Sequence, residues 1–319
     1  MSTTGKVRTV LGDIDAADLG RVDSHDHLII NGGPGTVRTP DLLLDDVDDA
    51  VREAEEFRAA GGGTIVDMMP PGAGRSVAAL TEIARRSGVH IIAVTGFHKP
   101  EYYDKLHWAR CGDEETLVKV LLDDCKGADR WDYWRPFGER LSARPGLIKW
   151  ATNYNSIAAA HQVTLRAIAR VSLETGLPII THTEHGTAAL RQLDLLEACG
   201  VPPDRVALSH MDRNPDLGLH KALADRGCFL VYDGAGREKY HPVSAIAALL
   251  GAMVEAGHGD RILLGGDLAM RAERLSRGGI GIRGVLTEFA AGLQRNGVAR
   301  ETIDRCLVDN PRSYLRMRN

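Results

Sequence analysis

The amino-acid sequence predicts an α/β fold, a closed (β/α)8 barrel, and three observations carry that prediction. Eight short apolar runs, near 21–28, 63–69, 89–96, 146–151, 177–182, 205–210, 228–233 and 261–267, alternate with helix-like stretches along the 319 residues. The runs are apolar at nearly every position, as parallel strands covered on both faces must be. Side chains of metal-ligand type follow the first, fourth, fifth, sixth and eighth runs. An open doubly wound sheet gathers such residues at one switch point, whereas a closed ring brings five strand ends around one centre.

Between the runs, 44–60 is rich in acids and alanine, and 77–86 opens after a glycine-rich turn. The stretch 114–125 carries Leu117, Val118, Leu121 and Leu122 at helical spacing. The stretch 157–175 ends at Gly176, a suitable C-terminal cap, and Pro178 opens the next strand. Helices at 188–199, 217–226, 243–256 and 282–294 complete the alternation, and a last one near 301–308 leads into Asn310-Pro311. Strand–helix–strand units of this length are right-handed and build a parallel sheet. The wide gap between the third and fourth runs is rich in Tyr, Trp and Arg and is expected to sit over the barrel mouth as an insertion. No linker or low-complexity stretch divides the chain, so residues 1–319 read as a single TIM-barrel domain.

The bulk numbers bound the function. A net charge of −4 offers no concentrated basic surface for nucleic acid or an anionic membrane. No apolar run approaches the roughly 18–20 residues that cross a bilayer, and the first residues show no apolar signal region. The five cysteines form no C-x-x-C pair and read as reduced thiols, so the expected location is cytoplasmic. The expected partner is a small, anionic molecule, and a homodimer is plausible on general frequency alone.

The side chains at the run ends are His25 and His27, Lys149, His182, His210 and Asp267. Residues two apart on a strand share a face, so His25 and His27 can point inward together. Taken singly these signals are weak: a strand-end histidine is usually a satisfied core residue, and Asp267 after two glycines could cap a helix. Their joint order after five strands is what marks a metal site. Lys149 is the odd member, because an ammonium would be repelled by two dications. Carbamylation by CO2 would turn it into a carboxylate able to bridge them. A plain cation beside a single metal stays open as the alternative.

The chain resembles the phosphotriesterase family of the amidohydrolase superfamily. The resemblance rests on Val7-Arg-Thr-Val-Leu-Gly-Asp-Ile, His25-Asp-His27, Gly146-Leu-Ile-Lys149, Thr181-His182-Thr, Leu208-Ser-His210-Met-Asp, Leu264-Gly-Gly-Asp267 and Asn310-Pro-Arg, and it spans the whole chain. It implies a binuclear metal centre at the C-terminal ends of the strands. His25, His27 and Asp267 would hold the buried ion and His182 and His210 the exposed one, with N6-carboxylated Lys149 and a hydroxide as bridges. Zinc is the first expectation; manganese, cobalt and nickel suit the same donors. Asp26 stands where the family would have glutamate. On this reading the bridging hydroxide attacks an ester carbonyl or phosphoryl centre, and Asp267 shuttles the proton through its second, free oxygen. No G-x-S-x-G motif is present, so no serine nucleophile is called for.

Three loops speak to substrate: Phe97–Tyr103, Asp233–His241 and Asp267–Gly279 carry Lys99, Arg237, Lys239, Arg271, Arg274 and Arg277. Such a concentration of cations in a net-acidic chain suits a phosphate monoester. The loops resemble those of family members that hydrolyse phosphorylated sugar lactones. The implied substrate is a 1,4-lactone of a sugar acid with a terminal phosphate, bound by Lys99, Tyr103, Arg237, Lys239, Tyr240 and Arg271. Two alternatives remain: an unphosphorylated lactone or carboxylester hydrolase with promiscuous phosphotriesterase activity, and a catalytically inactive metal-binding scaffold.

Overall fold

The computed structural model describes residues 5–128 and 139–318. Eight parallel strands follow one another around the ring in chain order: β3 (Arg21–Asp26), β4 (Gly62–Asp67), β5 (His90–Gly96), β6 (Leu147–Ala151), β7 (Ile179–His182), β8 (Val206–Ser209), β9 (Phe229–Tyr232) and β10 (Ile262–Leu264). All eight coincide with the apolar runs of the sequence, β4 opening one residue earlier at Gly62. The ring closes just beyond β10, where the backbone N–H groups of Gly266 and Asp267 donate to the His25 carbonyl at 3.1 and 2.8 Å. Glycine is required for that approach. A Cβ on Gly265 would stand 3.0 Å from His25 backbone atoms, and one on Gly266 would stand 2.4 Å from Asp26 Oδ2.

Alternation along the strands divides the core in two. Val22, Val66, Ile92, Leu147, Ile180, Ala207, Val231 and Leu263 fill the barrel interior. Ile65, Ile91, Ile148, Ile179, Leu208, Leu230 and Ile262 face the surrounding helices. An antiparallel hairpin, β1 (Lys6–Thr9) and β2 (Gly12–Asp15), precedes the barrel and was not expected. Its strands are four residues each and rich in charge, so they lack the apolar run that marks the others. Val7 of the hairpin joins Leu19, Tyr314 and Leu315 beneath the interior core.

Helix ends depart from expectation for local reasons. The first long helix is Val47–Ala59, capped by the Asp46 carboxylate accepting from Asp49 N–H, because Leu44 is held in a backbone bridge to Ile30. The expected helix 282–294 is a short 3-10 turn, Ile282–Val285, followed by Glu288–Arg295. The last helix does not stop near 308: a wide turn, Arg305–Asp309, carries it on into Asn310–Leu315, with Pro311 early in the new segment where no N–H is needed. Helix Glu114–Lys126 packs outside the barrel, where Glu114 pairs with Arg166 at 2.6 Å, so this part of the wide gap does not cover the mouth. The Trp- and Tyr-rich part of the gap, 129–138, lies outside the described residues.

Candidate metal centre

Strand parity delivers the site. Leu147, Ile180 and Val231 point into the interior, so Lys149, His182 and Asp233, two residues further on, point inward too: the first two line the barrel mouth, and Asp233 is buried against His210 and His25. Ser209 continues the inward face of β8 from Ala207, which leaves His210 out of phase. A left-handed backbone at His210 (φ 64°) swings it inward, and Asp267 is left-handed too (φ 51°). Non-glycine residues keep such conformations where the surroundings over-determine them, often at functional sites.

His25, His27, Lys149, His182, His210 and Asp267 line one cavity of about 140 Å³. They fall into two groups. The Nε2 atoms of His25 and His27 lie 3.4 and 3.3 Å from Asp267 Oδ1. His210 Nε2 lies 2.9 Å from His182 Nδ1. The outer nitrogens of this second pair donate to carboxylates: His210 Nδ1 to Asp233 at 2.8 Å and His182 Nε2 to Glu184 at 3.2 Å. With both outer nitrogens donating, the two inner nitrogens face each other as lone pairs, an arrangement that a shared metal ion satisfies. The donor set fits divalent ions.

Electrostatics favour the ligating forms. Burial lowers His27 to about 3 and His182 to about 4, and it carries His210 well below its ordinary value, so all three are neutral near pH 7. Burial lowers Lys149 to about 8. Asp267 is pushed up by burial but held well below the carboxylate range by Arg237, His210, His27 and Arg213. His27 Nδ1 is buried without a hydrogen-bond partner. Asp26 is turned from the cavity, as expected: its Oδ1 accepts from Leu268 N–H at 3.1 Å and His27 N–H at 2.7 Å.

One expectation about Asp267 fails. Its second oxygen is not free, since Arg213 Nη2 donates to Oδ2 at 2.5 Å and Arg237 Nη2 approaches it at 3.4 Å.

The expected substrate residues separate. Arg237 lines the ligand cavity and also pairs with Glu273 at 3.4 Å. Lys99 stands at the edge, tied to Glu184 at 2.5 Å. Lys239 and Tyr240 sit outside the cavity on the same loop as Arg237, with the ammonium 5.1 Å from the tyrosine ring. Two residues are misplaced by the sequence reading. Tyr103 is buried, and its hydroxyl accepts from His98 N–H at 2.8 Å; Tyr102, stacked on His98 at 3.7 Å, is the tyrosine that lines the cavity. Arg271 turns away: its Nε donates to the Leu43 carbonyl at 2.6 Å, in a separate cavity shared with Arg277. Arg274 is spent on the carbonyls of His27 and Leu28 at 2.7 and 2.9 Å.

Sequence reasoning missed Asp233, Glu184, His98, Tyr102 and Arg213. Parity from Val231 was a usable signal for Asp233. Arg213 had none, because nothing in its loop marks a cation bound for Asp267.

Comparison with known proteins places this arrangement. The Phosphotriesterase family model matches residues 5–315. The chain belongs to the phosphotriesterase family. It is 38% identical over 320 residues to the phospho-furanose lactonase of Mycoplasmopsis agalactiae, covering 97% of this chain and 91% of that protein. An amidohydrolase from Mycoplasma synoviae superposes with a TM-score of 0.94 at 35% identity, over 100% of this chain and 94% of that one. A lactonase from Listeria monocytogenes superposes with a TM-score of 0.90 at 29% identity, over 98% and 100%. In this phosphotriesterase-family barrel the clustered imidazoles and carboxylates are those of a divalent-metal site. No helix among the described residues is long and apolar enough to cross a membrane.

Proposed function

We propose that the protein is a metal-dependent hydrolase that opens a lactone, and that its substrate is a phosphorylated sugar 1,4-lactone. The observation that carries the metal-dependent reading is the paired approach of His182 to His210 and of His25 and His27 to Asp267 within one cavity. His25, His27 and Asp267 would hold one ion and His182 and His210 the other, with Lys149, carboxylated on Nζ, serving both. Two divalent ions held there, zinc first among several suitable metals, would lower the pKa of a shared water and polarise the lactone carbonyl.

The chain's own groups do the rest. Asp233 and Glu184 fix the imidazoles in the ligating tautomer. Asp267 Oδ2, which keeps a second lone pair beyond the one that Arg213 engages, accepts the proton and returns it to the departing alkoxide. Arg237 meets the phosphate, with Lys239 and Tyr240 behind it on the same loop. The names of the relatives, a phospho-furanose lactonase and a lactonase, support this substrate class.

One observation favours an unphosphorylated lactone instead: Arg237 already has Asp267 and Glu273 as partners. Matched lactones with and without the phosphate decide between the two. The proposal expects kcat/KM to be far higher for the phosphorylated compound and to fall selectively in Arg237→Met. Equal values for both compounds remove the phosphate from the substrate.

A further inference from the structure

Arg213 is a cavity side chain that neither donates to a metal nor belongs to the expected anion site. It closes a 3-10 turn, Met211–Arg213, that begins immediately after His210, and its side chain is only 6% exposed. Its Nη2 donates to Asp267 Oδ2 at 2.5 Å and lies 3.7 Å from Asp233 Oδ1. The Arg213 Cζ lies over the Tyr240 ring, 4.4 Å from its centroid. The Arg213 carbonyl lies 3.3 Å from His241 Nε2, and Tyr240 packs edge-on against His185 at 5.4 Å. One residue of the β8 loop thus reaches the end of β10, the end of β9 and the tip of the loop after β9.

We propose that Arg213 is a positioning residue that holds Asp267 and the loop 234–241 in a single arrangement around the cavity. Arginine suits both tasks at once, since its edge donates to a carboxylate while its face lies against an aromatic ring. Arg237 approaches the same Asp267 oxygen at 3.4 Å but divides itself with Glu273, so Arg213 makes the shorter contact. The loop it anchors carries Arg237 and Lys239, so Arg213 also sets where those cations stand relative to the reacting centre. The catalytic side of this inference rests on the lactonase reading; the structural side does not.

Arg213→Met and Tyr240→Ala test it in the metal-loaded protein, with Tyr240→Phe as the variant that keeps the ring. Amide hydrogen exchange across 234–241 should quicken by about tenfold in Arg213→Met and Tyr240→Ala and stay at the parent rate in Tyr240→Phe, the loop losing one local anchor. Metal content should hold in all three. On a lactone that the parent hydrolyses, Arg213→Met should lower kcat by about a hundredfold, the scale set by misplacing a reacting group by about 1 Å. Unchanged loop exchange in Arg213→Met, or a rise spread evenly over the barrel, overturns the proposal. If Arg213→Met fails to fold, Tyr240→Ala decides the loop claim alone. A parent that hydrolyses no lactone refutes the substrate reading and leaves the exchange result to judge Arg213.

Discussion

Asp233 accepts from His210 Nδ1 at 2.8 Å through one oxygen and stands 3.2 Å from His25 Nδ1 through the other. A single buried carboxylate therefore contacts an imidazole from each of the two proposed metal groups, sharing His25 Nδ1 with Ser209 Oγ at 3.0 Å. Burial pushes Asp233 up, but His210 and His25 hold it well below the ordinary carboxylate value, so it stays an acceptor. Asparagine in its place would present an N–H to one of two ring nitrogens that both donate. Asp233→Asn is expected to weaken metal binding by about 10–100-fold, read by competition with a chelator. An unaltered affinity rejects the orienting role.

Asp267→Asn keeps a ligating oxygen and removes the proton acceptor. Turnover should drop by about 10²–10⁴-fold, the range for a general acid–base group, while metal content falls far less. Activity near the parent level would rule out Asp267 as the shuttle.

Lys149 sets a pH dependence. Because burial lowers it from 10.5 to about 8, its neutral fraction grows as pH rises through 8, and only the neutral amine takes up CO2. Carbamate on the metal-free protein, followed by carbon-13 NMR with labelled bicarbonate, should increase over about pH 7–9 and be absent in Lys149→Met. The same shift is a stability cost. Between pH 8 and 10.5 the folded state binds fewer protons than the unfolded chain, so the cost is full below pH 8 and fades towards 10.5. Metal-free Lys149→Met should accordingly melt above the parent at pH 7. A lower melting temperature contradicts the buried-ammonium penalty.

Tyr102 and Tyr103 should part company. Tyr103→Phe strands the buried His98 N–H and should cost about 1–3 kcal/mol of stability, with little change in KM. Tyr102→Ala removes a cavity wall and should raise KM with a smaller effect on melting. The reverse pattern would return Tyr103 to the substrate site.

The barrel was legible because its signal is local. A buried parallel strand must be apolar throughout, and a ligand at its end must break that run, so eight strands and six converging side chains stood out in the order of the chain. The hairpin Lys6–Asp15 was not, since four charged-rich residues carry no such contrast.

The order of residues was enough for the ring, for the parity that turns Lys149 and His182 inward, and for the placement of His25, His27 and Asp267 at strand ends. Which cations face the cavity depended on the folded loops. Arg271 is drawn off by the Leu43 carbonyl, 228 residues earlier, and Arg213 is recruited by Asp267, 54 residues later. A long side chain goes to whichever partner the folded loops bring within reach, and that partner is invisible until distant strands have closed into one barrel.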